Sequence, residues 1–582
     1  MSLYSALIKK VNTMIIISIL ISAGGFVSYA SASEIVAVPL NPNFVEWQKK
    51  MDTARTSTQE KGSTGDSPAE SPQGYAPSPV NWSHLDNVVI SVYGDADHIL
   101  RRGSDIPASY DLRPEMPAVR DQDPFGTCWT FSAMAAAESN LIHEKAILTK
   151  DNADLSEWYL AYYGYNDESN EFPAFTYPSS LEYYNVGGDD WRSAAILTRG
   201  TGFLEGSSAA YPTSAAAAYT PDVQARKYKL NNVLYLGNLG EREVRLKDAR
   251  INTVKEAIME YGAVSIGIYQ GKDESYLNPT TKAYYIGTTE KSPNHAVTIV
   301  GWDDDYATSN FNASPRPTEN GAWIVRNSWG SSWGASGHYY VSYQEGSLND
   351  GVVYDTVAAP DKEKIYQYDP LGLCRFVTYE SADPVWFANI FTASRNEKIN
   401  SVSFYTSHAN STCTVKIYKD CGSDPTGGAL AAQKSVTVAA PGYNTVELDE
   451  EIDVLKNRKF SVVVSVALPE PTSSSRNNAG GSASRTTVLS SPAIPVEYPI
   501  TDYSEKADAS AGQSFISSDG IEWKDLTEES GYGNANVCIK AFGISDDTDS
   551  DGGSSGGCST GPVMLILLGL GVLPLIYKGR KQ

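Results

Sequence analysis

Residues 120–133 read RDQDPFGTCWTFSA, and this stretch decides how the middle of the chain is interpreted. No Gly or Pro follows between Thr127 and Leu148, and the Ala-rich run has high helix propensity, which predicts a helix that starts near Thr127 with that residue as N-cap. Cys128 would lie in the first helical turn, where unpaired N–H groups and the helix dipole favour a thiolate and lower its pKa. The alternative for a lone cysteine on an apolar helix is a buried core residue.

Two further segments carry polar residues at the ends of apolar, strand-like runs. Residues 293–302 read PNHAVTIVGW, so His295 leads a β-rich run, and residues 321–330 read GAWIVRNSWG, so Asn327 follows one. A strand can deliver a histidine as a base. Taken singly, however, His295 is more simply a structural residue and Asn327 a turn residue.

Together the three segments resemble the papain-like cysteine proteases. The motif Cys-Trp-x-Phe-Ser-Ala stands at 128–133, Asn-His-Ala-Val at 294–297 and Asn-Ser-Trp-Gly at 327–330. Gln122 precedes the cysteine by six positions, as the corresponding Gln does in that family. The resemblance implies an α+β fold over residues 105–360, with a helical lobe and a β-barrel-like lobe.

The same resemblance implies a role for each catalytic residue. Cys128 is the nucleophile and forms a thiolate–imidazolium pair with His295, so that peptide-bond hydrolysis passes through a thioester. Asn327 orients the imidazole. Gln122 offers its side-chain N–H, with the backbone N–H of Cys128, to the developing oxyanion.

The expected substrate-binding residues are Gly187, Gly188 and Trp329. The two glycines lie in a stretch that resembles the one whose backbone pairs with an extended substrate, and Trp329 shields the His–Asn hydrogen bond from water. The chain departs from the family at Phe125, where a disulfide-bonded cysteine is common, so packing of Phe125 is expected to replace that bridge. No long helical inhibitory pro-region is visible, which argues against control by a leader.

Composition excludes several classes of function. The chain has 582 residues, enough for more than one domain, and a formal net charge of −23, which argues against nucleic-acid binding. No CxxC, HExxH or four-ligand zinc spacing is present, so we expect neither a metal nor a cofactor. A GxSxG string at 330–334 precedes a strand-like run rather than a helix, which argues against a serine hydrolase.

Both ends of the chain predict export. Lys9 and Lys10, an apolar stretch and Ala30-Ser31-Ala32 have the layout of a signal peptide, with an N-terminal membrane anchor as the alternative. The C-terminus resembles bacterial sorting signals and has Cys558 just before its apolar helix; an ordinary juxtamembrane cysteine is the alternative. The expected segments are a signal peptide (1–32), a largely flexible leader or short pro-segment (33–104), an acidic Gly/Ser linker (545–560), a transmembrane or sorting helix (561–577) and a basic cytoplasmic tail (578–582).

Residues 361–544 show short alternating strands, which predict an all-β sandwich that resembles the lectin-like domains of some exported proteins. Trp386 and Trp523 are candidates for sugar binding, with core packing as the simpler interpretation. An even set of cysteines allows three disulfide pairings, of which Cys413–Cys421 with Cys374–Cys538 is favoured. The cysteines of this domain are Cys374, Cys413, Cys421 and Cys538.

These features predict an exported, cell-envelope-attached cysteine endopeptidase. Its expected partners are protein or peptide substrates, a carbohydrate or cell-surface ligand on the β-sandwich, and a membrane through the C-terminal helix, with no nucleic acid. Two alternatives remain open: an inactive, protease-like surface adhesion or binding protein, and a thiol-dependent transpeptidase. The presence of every expected catalytic residue argues against the first, and only the reaction products separate the second.

Overall fold

The computed structural model describes residues 34–60, 74–93, 106–166, 172–178, 181–221, 226–240, 246–271, 276–379, 382–469 and 489–545. The expected signal peptide, C-terminal helix and basic tail lie outside these ranges, as do Cys558 and the linker beyond residue 545. Within the described ranges, no helix is long and apolar enough to cross a membrane.

The helix that begins at Cys128 is the centre of the helical lobe, and its start agrees with the prediction. Its many small side chains allow close packing, so every residue from Cys128 to Leu141 is buried. Thr127 is the N-cap residue, but its hydroxyl bonds that of Tyr211 and no helix N–H group, which differs from the expected cap. In chain order the described helices are α1 (Pro42–Glu60), α2 (Cys128–His143), α3 (Glu157–Tyr165), α4 (Asp190–Thr198) and α5 (Lys247–Tyr261).

The second lobe of the first domain is built on an antiparallel sheet. The strands of the leader and of this domain are β1 (Ile35–Ala37), β2 (Ser109–Asp111), β3 (Tyr228–Gly237), β4 (Val264–Ile268), β5 (Ala283–Tyr284), β6 (His295–Asp303), β7 (Ala322–Arg326), β8 (His338–Ser342) and β9 (Asn349–Ala358). Strand β6 begins at His295, and β7 ends one residue before Asn327. The two strands pair antiparallel, with Thr298 opposite Arg326, so the start of β6 lies beside the end of β7.

The second domain is the predicted sandwich of β-strands. One of its sheets has the order β15-β14-β17-β12-β19-β20, and a smaller sheet has the order β1-β11-β18-β21. The buried side chains of these strands form a core of their own. The strands are β10 (Lys364–Tyr366), β11 (Arg375–Tyr379), β12 (Val385–Thr392), β13 (Glu397–Thr406), β14 (Ser411–Lys419), β15 (Ala429–Val438), β16 (Gly442–Val454), β17 (Lys459–Ala467), β18 (Ile494–Glu497), β19 (Ser514–Ser517), β20 (Lys524–Asp525), β21 (Asn536–Val537) and β22 (Ile539–Ser545).

One sheet runs through both domains, in the order β10-β22-β13-β16-β3-β9-β4-β6-β7-β8-β5 among the described strands. The junction is the pair β16–β3, where Gly442 and Tyr443 lie opposite Leu234 and Val233. Because the sheet that carries His295 continues into the second domain, backbone pairing fixes the two domains to each other.

The leader, expected to be largely flexible, is ordered and contacts both domains in its described parts. Strand β1 pairs antiparallel with β11, with Ile35 opposite Tyr379. Helix α1 buries Phe44 and Trp47, and residues 74–82 are all buried. These apolar side chains pack into the core of the first domain. The leader has no separate core, which is why long apolar periods are missing from its sequence.

The cysteines of the second domain are free thiols, so the favoured disulfide pairing is wrong. Cys413 packs in the core between the sheets, whereas Cys421 belongs to a different hydrophobic cluster, and the two thiols do not meet. Cys374 and Cys538 lie in the interior, where burial raises the pKa of each thiol. All four serve as small apolar side chains of the interior.

Two partly buried histidines meet where the leader touches the second domain. His84 of the leader bonds the Ser407 carbonyl through Nε2 at 2.8 Å, and its ring centre lies 4.7 Å from that of His408. Burial lowers the pKa of His84, and burial together with His84 lowers the pKa of His408 to about 3. Both rings are therefore neutral while the leader is bound.

We expect the leader to bind more weakly as the pH falls below about 6.5, the ordinary pKa of histidine, because the freed imidazoles take up protons that the bound state rejects. The test is to cut the chain between residues 94 and 105 at an inserted protease site and measure dissociation of the leader by size-exclusion chromatography. Dissociation should increase about tenfold or more between about pH 7.5 and about pH 5. The control variant His84→Gln/His408→Gln should lose this dependence, and equal dissociation of the unmodified protein at both pH values would contradict the account.

Candidate active site

Cys128 lies where the two lobes of the first domain meet. Its sulfur accepts a hydrogen bond from the backbone N–H of Ala296, at 3.2 Å. Since Ala296 directly follows His295 in the chain, this bond brings the thiol to the start of β6. The side chain is completely buried, and this burial raises the pKa of Cys128 to about 12. The lowered pKa expected at a helix N-terminus is thus not found in this form of the protein, because loss of hydration outweighs the backbone hydrogen bonds.

His295 and Asn327 are joined as predicted. Nε2 of the imidazole lies 2.8 Å from Oδ1 of Asn327. That same Oδ1 accepts the backbone N–H of Ser328 at 2.8 Å, so the amide atom is the oxygen and Nε2 of His295 donates. The hydrogen bond fixes the orientation of the ring and leaves the lone pair of the neutral imidazole on Nδ1.

Trp329 covers the histidine. The two ring centres are 5.0 Å apart with the planes inclined by 32°, and Trp333 packs edge-on against Trp329 at 5.1 Å. His295 and Asn327 are both buried. A shielded imidazole–amide hydrogen bond is stronger than an exposed one because water does not compete for it.

Gln122 is tied to the Asn-Ser-Trp loop. Its side-chain oxygen accepts the Ser328 hydroxyl at 2.6 Å, and its backbone N–H donates to the Ser328 carbonyl at 2.8 Å. Its Nε2 donates to the carbonyl of Phe125 at 2.9 Å and carries a second hydrogen. The amide is thereby held beside the start of α2, where the backbone N–H of Cys128 lies.

Phe125 packs as predicted for a site without the usual disulfide. Its ring centre lies 4.6 Å from that of Tyr184, 5.6 Å from that of Trp158 and 5.8 Å from that of Tyr211. This aromatic cluster supports the loop that precedes Cys128.

Gly187 and Gly188 line the cleft beside the thiol. A Cβ on Gly188 would lie 2.4 Å from the ring of Trp129, so no other residue fits there, and Gly187 has a φ of +84°. The Gly188 N–H donates to the Gly74 carbonyl at 3.3 Å, and its carbonyl accepts the Ala76 N–H at 3.0 Å. The glycine therefore pairs with an extended strand, and that strand is the leader.

The leader closes the cleft over the nucleophile. A Cβ on Gly74 would lie 2.5 Å from the backbone of Gly126 and 2.9 Å from the N atom of Cys128, so the leader backbone is in contact with the start of α2. This contact accounts for the buried thiol. The contact is not evident from the sequence, although Pro77 and Pro79, which favour an extended chain, follow Gly74 closely.

Asp190, two residues after Gly188, is a buried acid that the sequence does not indicate. Oδ1 of Asp190 accepts the hydroxyl of Ser265 at 2.7 Å and that of Tyr354 at 2.8 Å. Burial raises the pKa of Asp190 to about 7. In sequence this residue is an ordinary acidic N-terminus of a helix, and nothing marks it as buried.

The candidate sugar-binding residues of the second domain are half-buried. Trp386 and Trp523 both pack against the cluster that contains Cys421, and the ammonium of Lys416 lies 5.2 Å from the Trp386 ring centre. Part of each tryptophan ring thus packs against the hydrophobic core. Across the described residues no group of three or more His, Cys, Asp or Glu side chains is placed to hold a metal ion.

Two protein families match the chain. Residues 106–358 match the family described as papain family cysteine protease, and residues 365–543 match the lectin like domain. Among curated proteins, a cysteine protease of Blomia tropicalis is 27% identical over 263 residues, which are 43% of this chain and 66% of that protein. Cathepsin K of Gallus gallus is 27% identical over 237 residues, 40% of this chain and 58% of that protein. The chain thus spans about three fifths of the length of these relatives.

Solved structures extend the similarity over both domains. The cysteine protease and lectin-like domains of Cwp84, a surface layer associated protein of Clostridium difficile, superpose with a TM-score of 0.66 at 22% identity, covering 89% of this chain and 99% of that one. The Clostridial cysteine protease Cwp84 after propeptide cleavage gives a TM-score of 0.60 at 26% identity, covering 75% and 98%. The chain carries a papain-type cysteine peptidase domain followed by an all-β lectin-like domain.

Proposed function

We propose that the protein is an exported, cell-envelope-attached cysteine endopeptidase that is latent while its leader is bound. The observation that carries the proposal is the hydrogen bond from Nε2 of His295 to Asn327, formed beside the thiol that the Ala296 N–H contacts. It sets the tautomer that a nucleophilic cysteine needs, with the lone pair of the imidazole on Nδ1.

Catalysis begins when Nδ1 of His295 takes the proton of the Cys128 thiol. The thiolate attacks the scissile carbonyl carbon, and the C=O π electrons move to the oxygen. Collapse of this intermediate breaks the C–N bond while the imidazolium protonates the leaving amine, which gives a thioester. A water molecule, deprotonated by His295, then attacks the thioester and releases the acid, and the thiol is restored.

The oxyanion is stabilised by the Cys128 backbone N–H and the second N–H of Gln122. The bonds from Gln122 to Ser328 and Phe125 hold the amide in place before substrate arrives, so little reorganisation is needed during the reaction. Trp329 keeps water away from the His–Asn hydrogen bond, and Gly188 pairs with the extended substrate as it now pairs with the leader.

Latency follows from the position of residues 74–82. They occupy the strand position at Gly188 and cover Cys128, so neither substrate nor water reaches the thiol. Contrary to the expectation from the missing long helical pro-region, the leader acts as an inhibitory segment. Activation requires its release from the cleft.

Envelope attachment is supported by the predicted export and sorting segments. The similarity in fold to a protein described as surface layer associated agrees with that location. The lectin-like domain is proposed to bind a carbohydrate or cell-surface ligand that positions the protease, and the C-terminal helix is proposed to provide membrane contact. The alternatives are an inactive binding protein and a transpeptidase that transfers the acyl group to an amine.

The catalytic pair is tested with an epoxide thiol probe on the chain whose leader has been cut at an inserted site and removed. Labelling of the Cys128 peptide should disappear in Cys128→Ala and fall about a hundredfold or more in His295→Ala, because the thiol then lacks its base. His143→Gln, which changes a histidine outside the site, is the matched control and should label normally. Labelling of His295→Ala at the unmodified rate would refute the thiolate–imidazolium pair. In a separate incubation of the unmodified protein with a peptide substrate and a free amine, an amide product in place of an acid would favour the transpeptidase.

The oxyanion role of Gln122 predicts a fall in kcat of about 10²- to 10³-fold in Gln122→Ala with a smaller change in KM, since the lost N–H acts mainly on the transition state. Ser328→Ala removes only the hydroxyl that holds the amide and should reduce kcat less. Steady-state kinetics on a peptide substrate measure both. A rise in KM at constant kcat in Gln122→Ala would show that the residue binds substrate instead.

A further inference from the structure

The leader places one side chain of its own in a pocket beside the active site. Tyr75 forms a parallel β-bridge with Gly188, and its side chain is 2% exposed. In this bridge the Tyr75 ring is turned into the first domain, against Gly267. Tyr75 therefore shows what the pocket at this position accepts.

The pocket has a glycine beside the tyrosine ring and a carboxylate at the hydroxyl end. A Cβ on Gly267 would lie 3.2 Å from Cζ of Tyr75 and 3.1 Å from Pro293, so the glycine makes room for the ring. Gly267 lies opposite Ala296 in the β4–β6 pair, which puts the pocket next to the thiol. The Tyr75 hydroxyl donates to Oδ2 of Asp350 at 2.9 Å.

Asp350 also bonds residues of the first domain. Its other carboxylate oxygen accepts the Tyr235 hydroxyl at 3.1 Å, and its backbone N–H donates to Oδ1 of Asn238 at 3.1 Å. The residue has a φ of +56°, a conformation that few side chains tolerate but that Asp, Asn and Gly adopt. Tyr235 and Asn238 belong to the first domain, and each also touches the leader: the Trp82 ring stacks on Tyr235 at 4.7 Å, and Nδ2 of Asn238 donates to Asp86 at 3.1 Å. The carboxylate thus has partners in the first domain besides Tyr75.

The surroundings favour a neutral hydrogen-bond donor. Burial raises the pKa of Tyr75 well above its ordinary value, and the negative charges of Asp350, Asp190 and Asp189 act in the same direction. The phenol thus stays protonated and donates. A cavity of about 120 Å³ lies between leader residues, such as Asn81 and Trp82, and first-domain residues that include Asp350 and Glu290.

We propose that Asp350 is a specificity-determining residue, and that it selects peptide substrates with tyrosine at the position that pairs with Gly188. The proposal rests on the proposed peptidase function. Phenylalanine has the same ring but leaves the Asp350 oxygen without its donor, and a site built to bond a hydroxyl discriminates strongly against the analogue that lacks it.

The first test compares two peptides that differ only by Tyr or Phe at this position, with the leader cut and removed. The ratio of kcat/KM for Tyr over Phe should be about tenfold or more. Asp350→Gly tolerates the backbone conformation but has no acceptor, and should bring the ratio close to one. Asp350→Asn keeps an acceptor and should retain part of the preference. Tyr110→Phe, which removes a hydroxyl that bonds His143 away from the pocket, is the control and should leave the ratio unchanged.

The second test does not depend on hydrolysis. In the full chain, Tyr75→Phe should speed labelling of Cys128 by an epoxide thiol probe about fivefold or more, since the leader is held less tightly, and should add nothing in an Asp350→Gly background. A Tyr/Phe ratio near one in the unmodified protein, or equal labelling of Tyr75→Phe and the parent chain, overturns the proposal. Failure of the proposed peptidase function gives a different result from failure of this proposal. Neither peptide would then be hydrolysed, while the labelling comparison would still report the Tyr75–Asp350 contact.

Discussion

The hydrogen bond from the Ala296 N–H to the sulfur of Cys128 joins the two lobes. The rest of the site depends on this close contact between the start of α2 and the start of β6. The thiol belongs to the central helix of one lobe, and His295 opens a strand of the other. Neither lobe contains a usable site alone. The tight packing of α2, in which fourteen consecutive residues are buried, and the antiparallel pairing of β6 with β7 bring these atoms together.

The sequence predicts where Cys128, His295 and Asn327 meet because each of them lies at the end of an element with a clear local pattern. The Ala-rich run places Cys128 at a helix start, and the apolar runs place His295 and Asn327 at neighbouring strand ends. The leader was harder to predict because Trp47, Tyr75 and Trp82 pack into the core of another segment and show no periodicity of their own. The disulfides were predicted wrongly because spacing does not reveal that Cys413 and Cys421 lie in different clusters.

The same burial explains both the chemistry and its control. A leader that pairs with Gly188 removes water from Cys128 and raises the pKa of its thiol. In the proposed function, the leader therefore inhibits the enzyme electrostatically as well as sterically. The second domain takes part, because β1 extends one of its sheets and His84 contacts Ser407. The lectin-like domain is thereby a structural partner of the leader.

The most direct measurement is the rate at which iodoacetamide alkylates Cys128 from about pH 5 to about pH 10, before and after the leader is cut and removed, with the Cys128 peptide quantified by mass spectrometry. With the leader bound, the account predicts slow alkylation that still rises at the highest pH, as expected of a thiol with a pKa of about 12. After removal it predicts fast alkylation that is already constant near neutral pH, as expected of a thiolate paired with His295. Two superimposable profiles would contradict the claim that the leader controls the state of the nucleophile.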